Sequence, residues 1–410
     1  MPILLYAYLA SEMLGPFFAS LVIINAVLFL GKLSSFLEMI FSFGVDFPDF
    51  LRISSYLLPN LMLFSIPMAS TIGVIIAFSR LAGDNEILAF KASGIGLYKM
   101  LPPVILIALF TSLLTGAASW SLIPKGSVAM KKTMYQLARE KVDKGLRPRE
   151  FSDSVKDIVI YIDEVDNSGE WQGVYISDRR DKDNPLTILA KNGNLNSRLD
   201  EMMIILSLKD GSIHRAEENS SQTIEFKSYR LHLPINFNNP TYKDGTPIKS
   251  QDTSDLTPAE LSAKSKEHQI AYLAATDDQA RIRHHDRMTS ILLEFHKRLA
   301  LPVGCFILTL LALPLALQSR PGQRQMGLPL GLFFFILYYI MLTFAKSTAE
   351  VSPLPVWVVM WSPNLLLGII TFLFIRTSAR ENSVSHLERM MGILPALLAP
   401  FRKKTGETGE

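Results

Sequence analysis

The apolar residues of this chain fall into two blocks, one before residue 123 and one after residue 298, with a charged, soluble-looking segment between them. A bilayer core about 30 Å thick needs roughly 20 apolar helical residues, and each block holds three stretches of that kind. They run from about Met13 to Leu30, Tyr56 to Phe78 and Pro102 to Leu122, then from Leu299 to Leu317, Gly327 to Ala345 and Leu354 to Ile375. Six transmembrane helices are expected. The balance of 49% hydrophobic and 19% charged residues agrees with this. No basic leader with a small-residue cleavage site precedes the first run, which therefore reads as retained. Pro59 and Pro67 are expected to kink the second span, whereas Pro102 and Pro103 suit a first helical turn.

Orientation follows from Lys and Arg in the short loops. With a cytoplasmic N-terminus, the cytoplasmic pieces hold Arg80, Lys91, Lys99, Arg320, Arg324, Arg376, Arg380, Arg389, Arg402, Lys403 and Lys404, against only Arg52 in the opposite short loops. Both termini are expected inside and the central segment outside. A net charge of +3, without a Lys/Arg stripe interleaved with aromatics, argues against nucleic-acid binding. The single Cys305 excludes an intramolecular disulfide and reads as a packing residue.

The central segment carries short runs rich in Ile, Val, Tyr and Leu, at 158–162, 174–177, 187–190, 202–208, 223–226 and 229–233. Turn chemistry lies between them in Asp166-Asn167-Ser168-Gly169, Asp183-Asn184-Pro185, Asn192-Gly193-Asn194 and Lys209-Asp210-Gly211. Regularly spaced strands without intervening helices point to an antiparallel sandwich, jelly roll or partial barrel. Beyond a polar stretch at 236–255, Thr257-Pro258-Ala259-Glu260 has an N-cap and a first-turn proline. A helical return to the membrane is expected there. The domain plan is three spans in 1–122, an all-β domain in 123–255, a helical return in 256–298, three spans in 299–378 and a cytoplasmic tail in 379–410.

No phosphate loop, H-E-x-x-H, G-x-S-x-G or paired-Cys motif occurs, so an enzyme is the weaker reading. His284-His285-Asp286 are successive residues that diverge by about 100° on a helix and do not chelate one ion together. Glu12, Glu38 and Glu350 all fall near span ends, which argues against a proton relay through the membrane.

Two polar clusters remain. Lys32 lies about 27 Å beyond Leu14, and Lys346 about 27 Å beyond Leu328, so both reach the outer interface. Lys297 and Arg298 open the fourth span at that level, and Arg52 is in the nearby loop. A ring of cations at headgroup height suits a phosphate-bearing lipid, and equally suits snorkelling to ordinary headgroups. On the other side, Asp84 or Asn85 can cap a short helix, Glu86 and Lys91 suit its two dipole ends, and Gly94 can terminate it. Ile87, Leu88 and Phe90 would make it either an interfacial helix or a coupling helix seated in a partner's groove.

On these residues the chain resembles the lipopolysaccharide export permeases of the LptF/LptG (YjgP/YjgQ) family. The likeness rests on Ser79-Arg-Leu-Ala-Gly-Asp-Asn-Glu-Ile-Leu-Ala-Phe-Lys-Ala-Ser-Gly94, on Glu294-Phe-His-Lys-Arg-Leu-Ala-Leu-Pro302, and on Gly327 through Tyr338-Tyr339 to Ala345-Lys346. The last motif, with Glu350 after it, looks more like the LptF branch than the LptG branch. The resemblance implies a non-catalytic permease in a Gram-negative inner membrane, paired with an LptG-like second permease and driven by an LptB-like ATPase dimer that uses ATP and Mg²⁺. It implies no cofactor in this chain, and hand-over of lipopolysaccharide through the strand domain to LptC-like and LptA-like periplasmic jelly-roll proteins. Asp84, Glu86, Ile87, Leu88 and Phe90 would then form the ATPase-coupling helix. Lys32, Arg52, Lys297, Arg298 and Lys346 would meet lipopolysaccharide. Competing classes are a membrane scaffold or sensor with a ligand-binding external domain, and an ion-coupled secondary transporter; the lack of an evident repeat between the two three-span halves disfavours the latter.

Overall fold

The computed structural model describes residues 2–43, 46–145, 148–155, 157–166, 170–180, 185–198, 203–217, 220–234, 253–275, 277–317, 327–352 and 354–379. Arg320, Arg324 and the basic residues from Arg380 onward lie outside them, as does most of the polar stretch at 236–255. Among the described residues, six helices are long and apolar enough to cross a membrane, and a six-stranded antiparallel sheet is inserted between the third and the fourth. By its packing the chain divides into two compact units. One comprises 1–32, 57–125 and 253 onward, the other 33–56 and 126–252.

The helical unit contains α1 (Pro2–Phe43), α2 (Phe47–Gly83), α3 (Glu86–Ala92), α4 (Leu97–Ala117), α6 (Pro258–Ala274), α7 (Asp278–Leu317), α8 (Gly327–Val351) and α9 (Val356–Ala379), α1 and α2 each extending into the other unit. A proline inside a helix removes one N–H and leaves the carbonyl four residues earlier without its usual donor. In an apolar bilayer that carbonyl needs a substitute. Pro67 of α2 frees Leu63 O, and Tyr339 of α8 donates its hydroxyl to it at 2.8 Å. Pro302 of α7 frees Arg298 O, which accepts from Ser119 Oγ at 3.4 Å. Pro363 of α9 frees Val359 O, which accepts from Ser362 Oγ at 2.8 Å. The Tyr-Tyr pair on α8 is thereby explained: Tyr339 repairs α2, while Tyr338 donates to Ala300 O of α7 at 3.3 Å. Cys305 is buried as a free thiol among Ser70, Thr111 and Thr309, a packing role as expected.

The helical return starts where the sequence places it. Thr257 is the N-cap of α6, its side chain accepts from the Glu260 amide, and the Glu260 carboxylate accepts from the Thr257 amide at 2.7 Å, a complete capping box with Pro258 in the first turn. The following helix differs in length from the expected span, because α7 continues the apolar stretch backwards through a polar half from Asp278 to Arg298. His284 faces α6, with Nδ1 3.2 Å from Nδ1 of His268, while His285 packs its ring against Tyr272. Both rings thus lie against α6, on different residues of it.

The second unit begins with a helix. A five-residue π stretch, Ala118–Leu122, leads from α4 straight into α5 (Ile123–Gly145), so the segment from 123 opens helically and the first strand waits until Phe151. The strands β1 (Phe151–Val155), β2 (Ile158–Val165), β3 (Trp171–Asp178), β4 (Leu186–Arg198), β5 (Met203–Glu217) and β6 (Ser220–Pro234) pair in sequence order as one antiparallel meander. The expected all-β fold takes this form. Two of the expected turns are not turns: Asn192-Gly193-Asn194 lies inside β4 and Lys209-Asp210-Gly211 inside β5, with Asn192 opposite Lys209 and Ala190 opposite Gly211. Asp210 adopts φ 50° inside an unbroken strand, so the turn-forming residues of both strands meet there instead of ending the strands. The two short runs at 223–226 and 229–233 merge into β6. Alternate residues of β2 to β6, among them Ile160, Ile176, Ile188, Leu206 and Leu231, form one buried cluster that Tyr135 of α5 joins.

Candidate functional site

The first site is the corner formed by α2, α3 and α4. A Schellman motif closes α3: Ile95 N–H donates to Phe90 O at 2.9 Å, Gly94 N–H donates to Lys91 O at 3.0 Å, and Gly94 takes φ +76°. Termination at Gly94 is as expected, but the start is not. Asn85 sits in the left-handed region at φ 59°, and its side chain makes no cap hydrogen bond, so backbone geometry alone turns the chain from α2 into α3. Of the three apolar residues expected to face outward, Ile87 is buried with Leu9, Met13, Leu97 and Met100, and Phe90 packs against the same cluster. Leu88 is 65% exposed. The outward face is therefore Leu88 with Asp84, Ala89 and Lys91 around it.

Glu86 meets the first helix. The hydroxyl of Tyr8 on α1 lies 3.1 Å from its Oε1 and 2.9 Å from its Oε2. One turn further along α1, Glu12 meets Arg80 at 3.4 Å, and Arg80 also reaches Asp84 at 3.8 Å. Tyr8 was not singled out from the sequence, and Glu12 only as an acid near a span end, although their spacing of four places both on one face of α1.

The second site lies at the opposite end of the bundle, where Lys297 of α7 and Lys346 of α8 line one cavity of about 270 Å³. Its wall also carries Glu294, Glu350 and Tyr339, with Leu63 and Leu301 supplying apolar surface. Lys297 reaches Glu294 at 3.2 Å. Arg298 is not part of the lining, although its partners Glu294 and Thr253 are. Its guanidinium is 2% exposed, bonds Glu294 at 3.0 Å, and donates to the carbonyls of Thr253, Ser254 and Leu256, thereby clamping the turn before α6 onto α7. Lys32 is exposed on α1. Arg52 belongs to the other compact unit, where it pairs with Asp49 at 3.8 Å. The structure thus brings Lys297 and Lys346 together and gives Arg298 a different set of partners.

These elements define a multi-span membrane protein with one inserted β-sheet domain and, at one end of its helical bundle, an amphipathic cavity that holds two lysines and two glutamates. Residues 7–377 match the family described as lipopolysaccharide export system permease LptF/LptG, and the chain belongs to that family. It is 21% identical over 366 residues to lipopolysaccharide export system permease protein LptF of Escherichia coli K12, covering 88% of this chain and 91% of that one. It is 22% identical over 317 residues to an uncharacterized protein of Rickettsia prowazekii, covering 76% and 83%.

Proposed function

We propose that this chain is one permease subunit of an ATP-driven exporter that takes lipopolysaccharide from the outer leaflet of the inner membrane and passes it to a periplasmic bridge. The observation that carries the reading is the cavity lined by Lys297 and Lys346. Lys346 and Lys297, the latter also paired with Glu294, stand with Glu350 beside an apolar wall; the two ammonium groups suit the phosphates of a phosphorylated glycolipid while its acyl chains stay in the bilayer. About 270 Å³ accommodates a phosphorylated headgroup portion, not a whole lipopolysaccharide. Lys32 adds a further cation at the far end of α1 in this reading.

The energy comes from a separate LptB-like ATPase dimer that binds ATP and Mg²⁺, while this chain itself is non-catalytic. The exposed Leu88 face of α3 docks on that ATPase, and an LptG-like permease completes the membrane part. The β domain lies in the periplasm, both termini lie in the cytoplasm, and LptC-like and LptA-like proteins receive the lipid. Rocking of the proline-containing spans against the second permease opens and closes the cavity.

The test is ATP hydrolysis and lipopolysaccharide release by the reconstituted assembly. Reversing Glu86 to Lys is expected to uncouple hydrolysis from release while the complex still assembles. Unchanged release would overturn the coupling role of α3. Photocrosslinks from Ile160, a core position of the sheet, to lipopolysaccharide are expected only with ATP; their absence under both conditions counts against passage through the sheet interior.

A further inference from the structure

We propose that Tyr8 is the positioning residue for Glu86, and that α1 is the lever by which movement of α3 reaches the opposite side of the membrane. This rests on the reading of α3 as the ATPase-coupling helix.

Three observations along α1 carry the inference. At its N-terminal end α1 is tied to the α2–α3 corner by polar contacts and by packing. Tyr8 Oη lies within 3.1 Å of both Glu86 carboxylate oxygens, Glu12 pairs with Arg80, and Leu9 and Met13 are fully buried in the cluster that holds Ile87. At its middle α1 crosses α2 at backbone contact. A β-carbon on Gly73 would lie 3.0 Å from Cα of Phe17, so the two helices meet at a point that only glycine permits. Beyond that crossing α1 leaves Val22, Val27 and Leu30 more than half exposed, and Lys32 follows. The helix is held below, pivots at one close contact, and is thinly packed above.

Pro16, next to Phe17 at the crossing, removes one helix hydrogen bond and weakens α1 there, so displacing the lower end changes the angle at which the upper end leaves the crossing point. Glu86 is the only α3 carboxylate within reach of α1, and Tyr8 Oη is the donor that fixes its direction. Ile87, in the next position, supplies the apolar part of the same grip. Motion of α3 is delivered through these two contacts to α1 and thence to Lys32, about 36 Å along the helix from Tyr8.

The experiment uses the whole reconstituted complex with its ATPase. Tyr8→Phe keeps the ring and removes only the hydroxyl, and Tyr6→Phe on the same helix serves as control. ATP-driven lipopolysaccharide release is expected to fall about fivefold in Tyr8→Phe, the scale of one ordinary hydrogen bond in an exposed position. Tyr6→Phe is expected to match the parent protein. Glu86→Gln should lower release, and adding Tyr8→Phe to it should lower it little further, because the two groups act as one contact. A spin-label pair between Val27 of α1 and Leu342 of α8 is expected to change distance on ATP addition in the parent complex and to stay fixed in Tyr8→Phe. If Glu86→Gln reduces release and Tyr8→Phe does not, or if the two losses simply add, the Tyr8 role is overturned while the coupling role of α3 stands. If neither variant affects release, the coupling reading itself fails. A ring-packing role alone would leave Tyr8→Phe indistinguishable from the parent protein.

Discussion

Gly304 and Tyr338 share one space: a β-carbon on Gly304 would lie 2.0 Å from the Tyr338 hydroxyl oxygen. The contact brings α7 and α8 close together and lets Tyr338 donate to Ala300 O, which also accepts from Asn364 of α9 at 3.0 Å. One carbonyl therefore joins three helices. Gly304→Ala is expected to force α8 outward and destabilise the bundle by about 1–3 kcal/mol, as overpacking does. A lowered melting temperature of the detergent-solubilised protein checks it.

Arg298 predicts a folding phenotype. It is fully enclosed, and removing it leaves Glu294 with Lys297 alone and takes the donor from the carbonyls of Thr253, Ser254 and Leu256. Arg298→Ala is expected to cost about 3–5 kcal/mol. Arg298→Lys should recover only part, because an ammonium cannot present the planar fork that reaches several carbonyls at once. Thermal melts of the two variants separate these outcomes, and proteolysis near residue 253 should rise in the Ala variant.

Lys346 predicts a lipid phenotype. It lines the cavity without the enclosure of Arg298. Lys346→Glu is expected to weaken binding of a bis-phosphorylated glycolipid about fivefold or more, and Lys346→Gln less, on the scale of about 1 kcal/mol per cation at an anionic surface. A dephosphorylated glycolipid should bind both variants and the parent alike. Equilibrium binding in nanodiscs checks all three.

The paired histidines predict acid sensitivity of the α6–α7 hairpin. Burial pushes His268 below the usual histidine value of 6.5, and His284, Arg287 and Lys264 add repulsion that Glu267 opposes. A histidine whose folded value is depressed contributes stability that is full above 6.5 and is lost as pH falls from there through the lower folded value. Amide exchange in α6 is therefore expected to accelerate below about pH 6, since His268 starts from 6.5 in the unfolded chain. His268→Gln should flatten that dependence, and an unchanged profile would remove the pair as its origin.

The spans were legible because the bilayer imposes a length on apolar runs that few other constraints mimic. The capping box at Thr257 and Glu260 and the glycine stop at Gly94 were legible for a similar reason, being local chemistry within a few residues. What escaped the sequence depends on distant partners. Arg298 reads as an interfacial cation until the carbonyls more than 40 residues earlier are seen to surround it. Tyr339 is only one half of a family-like Tyr-Tyr pair until Leu63 O, freed by Pro67, proves to be its acceptor. Ile87 reads as exposed because its cover comes from Leu9 and Met13 at the start of the chain. The turns at Asn192 and Lys209 failed for another cause. Gly, Asn and Asp signal a departure from ordinary strand geometry, and one residue with positive φ inside an unbroken strand, Asp210, satisfies that signal as well as a reversal does.

The order of the sheet also bears on how the protein is made. Each strand pairs with the one synthesised just before it, so every hairpin can close as soon as its second strand has emerged. Residues 151–234 can thus assemble from the first strand onward while the later helices are still on the ribosome. The Arg298 clamp on the 253–256 turn forms afterwards, once α7 has been made.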